Sequence, residues 1–356
     1  MKGKANNPDT TPPTVTVRKP EFLPSRDTPK LRATWLGHAC YYVEFPSGLR
    51  VLFDPVFEAR CGPCCGPYHL GPKRYTEPPC QIKDIPVIDA VVISHNHYDH
   101  LSYPTVSEIA KRHPNCHFFA PLGNKSWFHS SGIENVTELD WWDERDIAMS
   151  PKEGKDPQVE PVGEASATAD IKARISCLPC QHVTARSPFD KYKTLWASWA
   201  IESGGSKVYF AGYDKLPKST SECCFANLHS SDSGYRAVDE LPEGEDDWDP
   251  KYNFPICPAF EQVGEFRGPF DLGLIPIGAY APRHIFSAAH SDPHDAVRIF
   301  KDTKCKKALG MHWGTWVLTE EDVLEPPKKL KEALKKHDIA ETGVFDVCDI
   351  GESREF

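Results

Sequence analysis

The chain has 356 residues, of which 40% are hydrophobic, so it can bury a substantial core in one large domain or two small ones. Its formal net charge of −10 argues against a broad basic face, and we expect no nucleic-acid partner. No apolar run approaches the length of a membrane span, and the first residues lack the core of a signal peptide. We therefore expect an intracellular protein, not a secreted one, whose 13 cysteines are reduced thiols.

Residues 1–30 are rich in Pro, Thr and Lys without a periodic apolar pattern, which predicts a disordered tail. From Leu31 onwards, short apolar runs predict strands that are joined by hairpins. These first predicted strands cover residues 31–36, 41–45 and 49–53. A loop that is dense in Gly, Pro and Cys follows over residues 58–80.

The most informative stretch is residues 94–100, Ser-His-Asn-His-Tyr-Asp-His, which holds four metal-capable side chains. The run before it, residues 89–93, is short, apolar and β-branched, as is typical of a fully buried strand. A helix is predicted to begin near Pro104. The cluster should therefore lie on the turn at the carboxyl end of a strand, where α/β sheets place their chemistry. In such a loop His95 and His97 face one point, and the last two ligands face a second, which suits two metal ions.

Later segments continue the alternation of strands and helices, apart from a polar and irregular stretch at residues 143–165. Strands are predicted at residues 116–120, 171–178, 196–201, 207–211, 271–277 and 307–312, and a helix at 293–300. This order predicts an α/β (α+β) fold in which two mixed sheets pack face to face with helices outside, an αββα sandwich.

The motif His95-x-His97-x-Asp99-His100 after a buried strand resembles the metallo-β-lactamase superfamily. Further segments resemble one family within it, the phospholipases D that hydrolyse N-acyl-phosphatidylethanolamines. These segments are Trp35–Ala39, Leu70–Tyr75, Asp89–Leu101, Leu139–Trp142, Gly268–Leu272, Ile275–Tyr280, His312–Thr315 and Leu324–Pro327. The likeness implies one hydrolase domain over residues 31–356.

The resemblance implies two zinc ions per chain. The implied ligands are His95, His97 and His182 for the first ion, and Asp99, His100 and His312 for the second. Zinc lowers the pKa of bound water to roughly 7, and paired ions can clamp the attacking and leaving oxygens of a phosphoryl displacement. The implied reaction is attack of a di-zinc-bound hydroxide on phosphorus, which converts N-acyl-phosphatidylethanolamine to N-acylethanolamine and phosphatidic acid.

The bridging carboxylate is where this sequence departs from the family pattern. The family has Asp-Thr/Ser-Gly-Tyr directly after the strand that here ends at Gly212, whereas this chain has that pattern only at residues 232–235. Removing residues 213–231 would restore it, so we predict an insertion there and Asp232 as the bridging ligand. Asp214, nearer the strand end, is the alternative that geometry alone favours. A second insertion, residues 237–255, is strongly acidic and is predicted to be a solvated surface loop.

His290 lies just before the helix that begins near residue 293, and the resemblance places it beside the substrate phosphate. It is predicted to donate a proton or contact the phosphate, so Asp99 and His290 are the catalytic candidates. Tyr98 and Tyr280 are predicted to line the phosphate pocket. His38 follows a strand and is predicted to be a buried, hydrogen-bonding residue outside the metal set.

The resemblance also implies an N-acylated phospholipid substrate and peripheral contact with a cytoplasmic or organelle membrane surface, and it leaves a homodimer open. Another hydrolase of the same fold, such as a lactonase, thioesterase or nuclease, is an alternative because a fold does not determine its substrate. A relative that binds lipid or metal and is inactivated by the insertion at 213–231 is a second alternative. Iron in place of the second zinc also stays open.

Overall fold

The structure is a computed structural model that describes most of the chain. The described residues are 8, 10, 15–65, 68–151, 157–164, 168–182, 184–212, 235–242 and 244–356. The insertion predicted at residues 213–231 and both candidate bridging residues, Asp214 and Asp232, lie outside them. Within the described residues, no helix is both long enough and apolar enough to span a bilayer.

Most strands of the described residues precede Gly212, whereas most of the α-helices follow it. The strands are β1 Arg32–Gly37, β2 Cys40–Glu44, β3 Arg50–Phe53, β4 Cys64–Cys65, β5 Tyr68–His69, β6 Ala90–Val92, β7 His117–Pro121, β8 Val136–Leu139, β9 Glu144–Met149, β10 Gln158–Glu160, β11 Ile171–Leu178, β12 Ser198–Ser203, β13 Ser206–Phe210, β14 Leu272–Pro276, β15 Ala308–Met311, β16 Phe345–Asp346 and β17 Ser353–Glu355. The α-helices are α1 Tyr103–Arg112, α2 Lys125–Ser130, α3 Ala259–Phe266, α4 Arg283–Phe286, α5 Pro293–Asp302 and α6 Glu325–Lys336.

Two large mixed sheets carry the fold. The first has the strand order β17-β1-β2-β3-β6-β7-β8, and it changes from antiparallel to parallel pairing between β3 and β6. The second has the order β10-β9-β11-β12-β13-β14-β15-β16, and it becomes parallel between β13 and β14. The predicted α+β fold with two mixed sheets and helices is confirmed.

The hydrophobic core lies between the two sheets. All residues of β1, β2 and β3 are buried, and the charged ones among them are paired, because Arg32 and Arg50 both contact Glu44. Phe53 of the first sheet stacks on Phe210 of the second with ring centroids 4.6 Å apart. Stacked aromatic pairs stabilise a core beyond the area they bury, so this contact helps to hold the two sheets together.

The loops that carry the predicted metal ligands leave the sheets at one edge. β6 leads into residues 95–100, β11 leads into His182, and β15 leads directly into His312. The two sheets are joined at this edge, where the Trp199 Nε1–H donates to the carbonyl oxygen of Ile93 at 3.0 Å. The chemistry-bearing loops therefore start from rigid, buried strand ends.

Part of the segment that the sequence predicts as a disordered tail, residues 1–30, lies against the domain. Arg26 Nη1 and Nη2 donate to the two carboxylate oxygens of Asp89 at 2.6 and 2.7 Å. Asp89 is buried at the start of β6, so this bidentate pair fastens residues 15–30 to the first sheet. Composition does not reveal the contact because Asp89 is distant in sequence.

The acidic insertion at residues 237–255, predicted to be a solvated surface loop, exposes most of its described carboxylates but holds one of them in place. Asp247 Oδ2 accepts hydrogen bonds from Arg236 Nη2 and from Arg283 Nη2, both at 2.9 Å. The Arg236 guanidinium lies 3.5 Å from the ring centroid of Trp248. One carboxylate of the acidic run, that of Asp247, therefore belongs to an ion-pair cluster. Its two arginine partners lie outside the run, so the composition of the run does not reveal the cluster.

Candidate metal centre

The loop over residues 94–100 is held in a tight turn at the end of β6. The N–H of Leu101 donates to the carbonyl oxygen of His97 at 2.7 Å, which closes one turn. Arg186 Nη1 donates to the carbonyl oxygens of Asn96 and Leu101 at 2.7 and 2.8 Å. One guanidinium from the loop after β11 thus braces both ends of the histidine-rich turn.

The first group of metal-capable side chains is His95, His97 and His182. One ring nitrogen from each lies within 4.8 Å of the others. The ring centroid of His182 is 4.0 Å from that of His95 and 5.4 Å from that of His97. The structure therefore brings together the three residues predicted to bind the first ion, although His182 lies 85 positions after His97 in the sequence.

The second group is Asp99, His100 and His312, and it also includes His38. His100 Nε2 lies 3.2 Å from His312 Nε2 and 3.4 Å from Asp99 Oδ2. His38 Nε2 lies 3.1 Å from the same Asp99 oxygen. The prediction that His38 is buried and hydrogen-bonded agrees with this contact, but its position also makes it a further metal-capable residue that the sequence pattern did not reveal.

Asp54 links the two groups through hydrogen bonds to His100 and to Ser94. Its Oδ2 accepts from His100 Nδ1 at 2.6 Å and from Ser94 Oγ at 2.5 Å, and its Oδ1 accepts from the Ser94 N–H at 2.7 Å. Ser94 Oγ lies 2.8 Å from Nδ1 of His95 in turn. A carboxylate on the remote nitrogen of a histidine fixes the orientation and tautomer of a metal-binding imidazole, and this residue was missed at the level of sequence.

Three residues of the centre have left-handed backbone conformations. The φ angles of His38, Asp54 and His312 are 51°, 37° and 64°. Such angles are uncommon outside glycine and persist only where the surrounding structure enforces them. Here the N–H of His312 donates to the carbonyl oxygen of His38 at 2.9 Å, so the two strained turns hold one another.

The carboxylates in and beside the second group favour the binding of a cation there. Burial alone would lower the pKa of His100, but the carboxylates of Asp99 and Asp54 raise it to about 10. Burial and the neighbouring imidazoles of His38 and His100 lower the pKa of His312 well below its ordinary value. His312 is therefore held neutral, as a metal ligand must be, whereas His100 would release a proton when a metal ion binds to it.

The donor set fits divalent metal ions. Neutral imidazoles and carboxylates are the ligands by which proteins hold zinc, copper, iron and related metals. The ring centroids of His95 and His100 lie 4.1 Å apart, so the two groups adjoin. Asp54, His95 and His100 also form a third set with ligand atoms within 4.8 Å of one another. Two neighbouring metal positions are consistent with this geometry.

Comparisons with known proteins identify the family. A family model of the beta-lactamase superfamily domain matches residues 49–213. An N-acyl-phosphatidylethanolamine-hydrolysing phospholipase D of Caenorhabditis elegans is 33% identical over 328 residues, which cover 90% of this chain and 75% of that protein. The chain belongs to this phospholipase D family, within the metallo-β-lactamase superfamily. It is a metal-dependent hydrolase.

Two more distant matches agree with that family membership. The mitochondrial N-acyl-phosphatidylethanolamine-hydrolysing phospholipase D of Saccharomyces cerevisiae is 31% identical over 319 residues, 88% of this chain but only 53% of that protein. The chain thus spans about half the length of the yeast relative. A metallo hydrolase from the archaeon Ignicoccus hospitalis covers 92% of this chain and 98% of its own with a TM-score of 0.54. At 18% identity that likeness supports the fold alone.

Within this phospholipase D-family fold, His290 lies beside the second group. Its ring centroid is 5.6 Å from that of His312, and the side chain is buried. Arg283 Nη1 donates to the His290 carbonyl oxygen at 3.4 Å, which links the residue to the ion-pair cluster around Asp247. The position agrees with the predicted phosphate contact, and the role itself stays a prediction.

The two tyrosines predicted to line the phosphate pocket are both engaged by other side chains. The Arg186 guanidinium lies 3.9 Å from the ring centroid of Tyr98. Tyr280 is buried, and its hydroxyl donates to Glu325 Oε1 at 2.7 Å. These contacts give each ring a packing role, and substrate contact by either tyrosine stays a prediction.

The bridging carboxylate of this phospholipase D-family member is not tested by the structure. Asp232 and Asp214 both lie outside the described residues, and β13 ends just before Gly212. The Gly212 N–H donates to Ser198 Oγ at 3.2 Å, so Gly212 lies at the same sheet edge as the metal-capable groups. Asp232 stays the predicted bridge and Asp214 the alternative.

Proposed function

We propose that this chain is a zinc-dependent phospholipase D-type phosphodiesterase that acts at a membrane surface inside the cell. Its proposed substrate is N-acyl-phosphatidylethanolamine, which it would cleave to N-acylethanolamine and phosphatidic acid. The observation that carries the proposal is the meeting of two imidazole-rich groups at one sheet edge, in a chain that is 33% identical to a relative named for this hydrolysis.

Each group is proposed to bind one metal ion. His95, His97 and His182 would hold one metal ion, and Asp99, His100 and His312 would hold the other, with His38 as a further donor beside Asp99. Two bound metal ions would supply an activated water for attack on phosphorus and positive charge opposite the phosphate. Asp232 is the proposed shared carboxylate.

The residues around these ligands would orient the reaction. Asp54 would keep Nε2 of His100 directed at the pocket by accepting from Nδ1 at 2.6 Å. His290 lies on the side of His312 and would contact the phosphate or give a proton to the departing ethanolamine oxygen. The chain has a net charge of −10, so a positively charged pocket would be needed to bind an anionic phosphodiester.

The test is hydrolysis of a diacyl N-acyl-phosphatidylethanolamine in ¹⁸O-labelled water, with both products analysed by mass spectrometry. We expect phosphatidic acid that carries the label and N-acylethanolamine without it, because water attacks phosphorus. A lactone and a simple phosphodiester run in parallel test the alternative hydrolases. Turnover of either of these without turnover of the lipid would refute the proposed substrate.

Matched variants connect the activity to the site. His312→Ala should abolish turnover, whereas Glu240→Gln, at an exposed position in the acidic insertion, should leave it at the wild-type rate. Removal of metal with a chelator and reloading with zinc or with iron tests the metal identity. Recovery with iron alone would contradict the zinc assignment and leave the hydrolase assignment standing.

A further inference from the structure

The loop that follows His182, residues 184–195, presents apolar side chains to solvent beside the metal centre. Phe189 at its tip is 86% exposed, which is the largest exposure among the big apolar residues of the described chain. Tyr192 in the same loop is 49% exposed, and Leu122 beside it is 45% exposed. Isolated exposed apolar residues are ordinary, but two on this loop and a third on the segment hydrogen-bonded to it indicate a contact surface.

The loop is built rigidly enough to hold Phe189 outward. Asp190 Oδ1 accepts from the N–H groups of Arg186 and Ser187 at 3.0 and 2.7 Å, which forms a tight turn around the tip. At its base, the Tyr192 N–H donates to the carbonyl oxygen of Thr184 at 2.9 Å. The exposed phenylalanine therefore projects from a structured turn.

The charges of this loop are opposite to those of the whole protein. Residues 184–195 contain Arg186, Lys191 and Lys193 against the single carboxylate of Asp190, in a chain with a net charge of −10. The Asp190 carboxylate is directed at backbone N–H groups of its own turn. Arg186 is turned inward onto the histidine-rich turn, whereas Lys193 is exposed and Lys191 is partly exposed beside Phe189. Two lysines at the surface next to an exposed apolar side chain attract anionic lipid.

The same loop is joined to the catalytic machinery. It begins two residues after His182, and Arg186 braces the histidine-rich turn through the carbonyl oxygens of Asn96 and Leu101 at 2.7 and 2.8 Å. The neighbouring segment is connected as well, because the Leu195 N–H donates to the carbonyl oxygen of Leu122 at 2.8 Å. Any surface that binds this loop would therefore lie on the same side of the protein as the metal centre.

We propose that Phe189, Tyr192 and Leu122, together with Lys191 and Lys193, form a docking face for a phospholipid bilayer that contains anionic lipid. Phe189 would enter the interfacial region of the bilayer while the two lysines contact lipid phosphates. The inference rests on the proposed function, since a phospholipid substrate resides in a bilayer. It adds the segment through which the enzyme reaches that substrate.

The first test is sedimentation of the full chain with phosphatidylcholine vesicles, with and without phosphatidylserine. Phe189→Ser should weaken vesicle binding on the order of tenfold to a hundredfold, because one large apolar side chain no longer enters the lipid. Lys191→Gln and Lys193→Gln should each weaken binding about fivefold, and only to vesicles with phosphatidylserine. Phe266→Ser is the matched control, since Phe266 is also exposed but lies at the end of helix α3, outside the loop at residues 184–195.

A second readout separates docking from catalysis. Phe189→Ser should lower the hydrolysis of N-acyl-phosphatidylethanolamine in vesicles while it leaves hydrolysis of the same lipid in detergent micelles unchanged. Wild-type binding to vesicles without any lipid turnover would refute the proposed function and keep the docking face. Vesicle binding of Phe189→Ser equal to that of the wild type would overturn the docking face. So would a dimer of the wild-type chain in solution that Phe189→Ser dissociates, because the face would then join two copies.

Discussion

Replacement of Asp54 by asparagine tests how the centre is oriented. The Asp54 carboxylate accepts from Nδ1 of His100, from Ser94 Oγ and from the Ser94 N–H, at distances between 2.5 and 2.7 Å. All three partners are donors, so an amide in the same place would direct its own N–H groups at one of them. At least one hydrogen bond would be lost, and the remaining ones would lose their charge.

The magnitude follows from those contacts. A hydrogen bond to a charged group contributes about 1.5–3 kcal/mol, which corresponds to roughly tenfold to a hundredfold in a dissociation constant. Loss of an outer partner of a metal-binding histidine typically weakens metal affinity by a similar factor of about 10–100. Asp54→Asn should therefore bind its more weakly held metal ion roughly tenfold to a hundredfold less tightly, and turnover should fall when metal is limiting.

The assay is competition for zinc with a chromophoric chelator, followed by turnover across a zinc titration. Asp89→Asn provides the control, because Asp89 is a similarly buried carboxylate just before β6 whose partners are Arg26 and the N–H of Arg50. That variant should lose stability and keep its metal affinity. Wild-type zinc affinity in Asp54→Asn, or an equal loss in both variants, would refute an orienting role for Asp54.

Two further predictions concern stability. Asp247→Asn should lower the free energy of unfolding in urea by about 2 kcal/mol, because Arg236 and Arg283 lose one charged hydrogen-bond partner and keep Asp295. Glu240→Gln should be neutral, and equal effects would contradict the anchored insertion. His117→Gln should reduce acid sensitivity. Burial, with a contribution from Lys125, lowers the pKa of His117 from 6.5 to about 4. The neutral imidazole therefore contributes its full stability above pH 6.5, and that contribution is lost as the pH falls from 6.5 through 4, because the unfolded chain binds the proton first. Parallel wild-type and variant curves of unfolding free energy between those pH values would contradict this.

The parts of the site that the sequence predicts are those with a local pattern. The β-branched run at residues 89–93 and the alternating run at 171–178 match β6 and β11 because both strands are buried and bounded by turn residues. Since His95 and His182 follow such strands directly, their meeting at one edge can be inferred before the structure is known. The HxHxDH spacing adds a chemical signal that packing does not explain.

Other parts depend on contacts that leave no local signature. Asp54 is one aspartate after a strand, and its importance comes from His100, 46 positions further along the chain. Asp247 and Arg283 are 36 positions apart, so the acidic run around Asp247 reads as solvated. The sole hint for Asp54 is a carboxylate placed directly at a buried strand end.

Strand β9 is not predicted from the sequence for a related reason. Its first three residues, Glu144, Arg145 and Asp146, are polar and only partly buried, so the segment lacks the alternation of a half-buried strand. Arg174 on β11 satisfies Asp146, with Nε donating at 2.9 Å. The strand is therefore stabilised by pairing with β11 and by a cross-strand ion pair, and neither is visible within residues 143–165.

The most direct test of the proposed centre is the number of metal ions bound per chain, measured by elemental mass spectrometry after dialysis against zinc. The wild-type chain should bind two ions, and His182→Ala and His312→Ala should each bind about one, because each variant removes a ligand from a different group. A wild-type chain that binds one ion or none, or two variants that both still bind two, would contradict a centre built from these two groups.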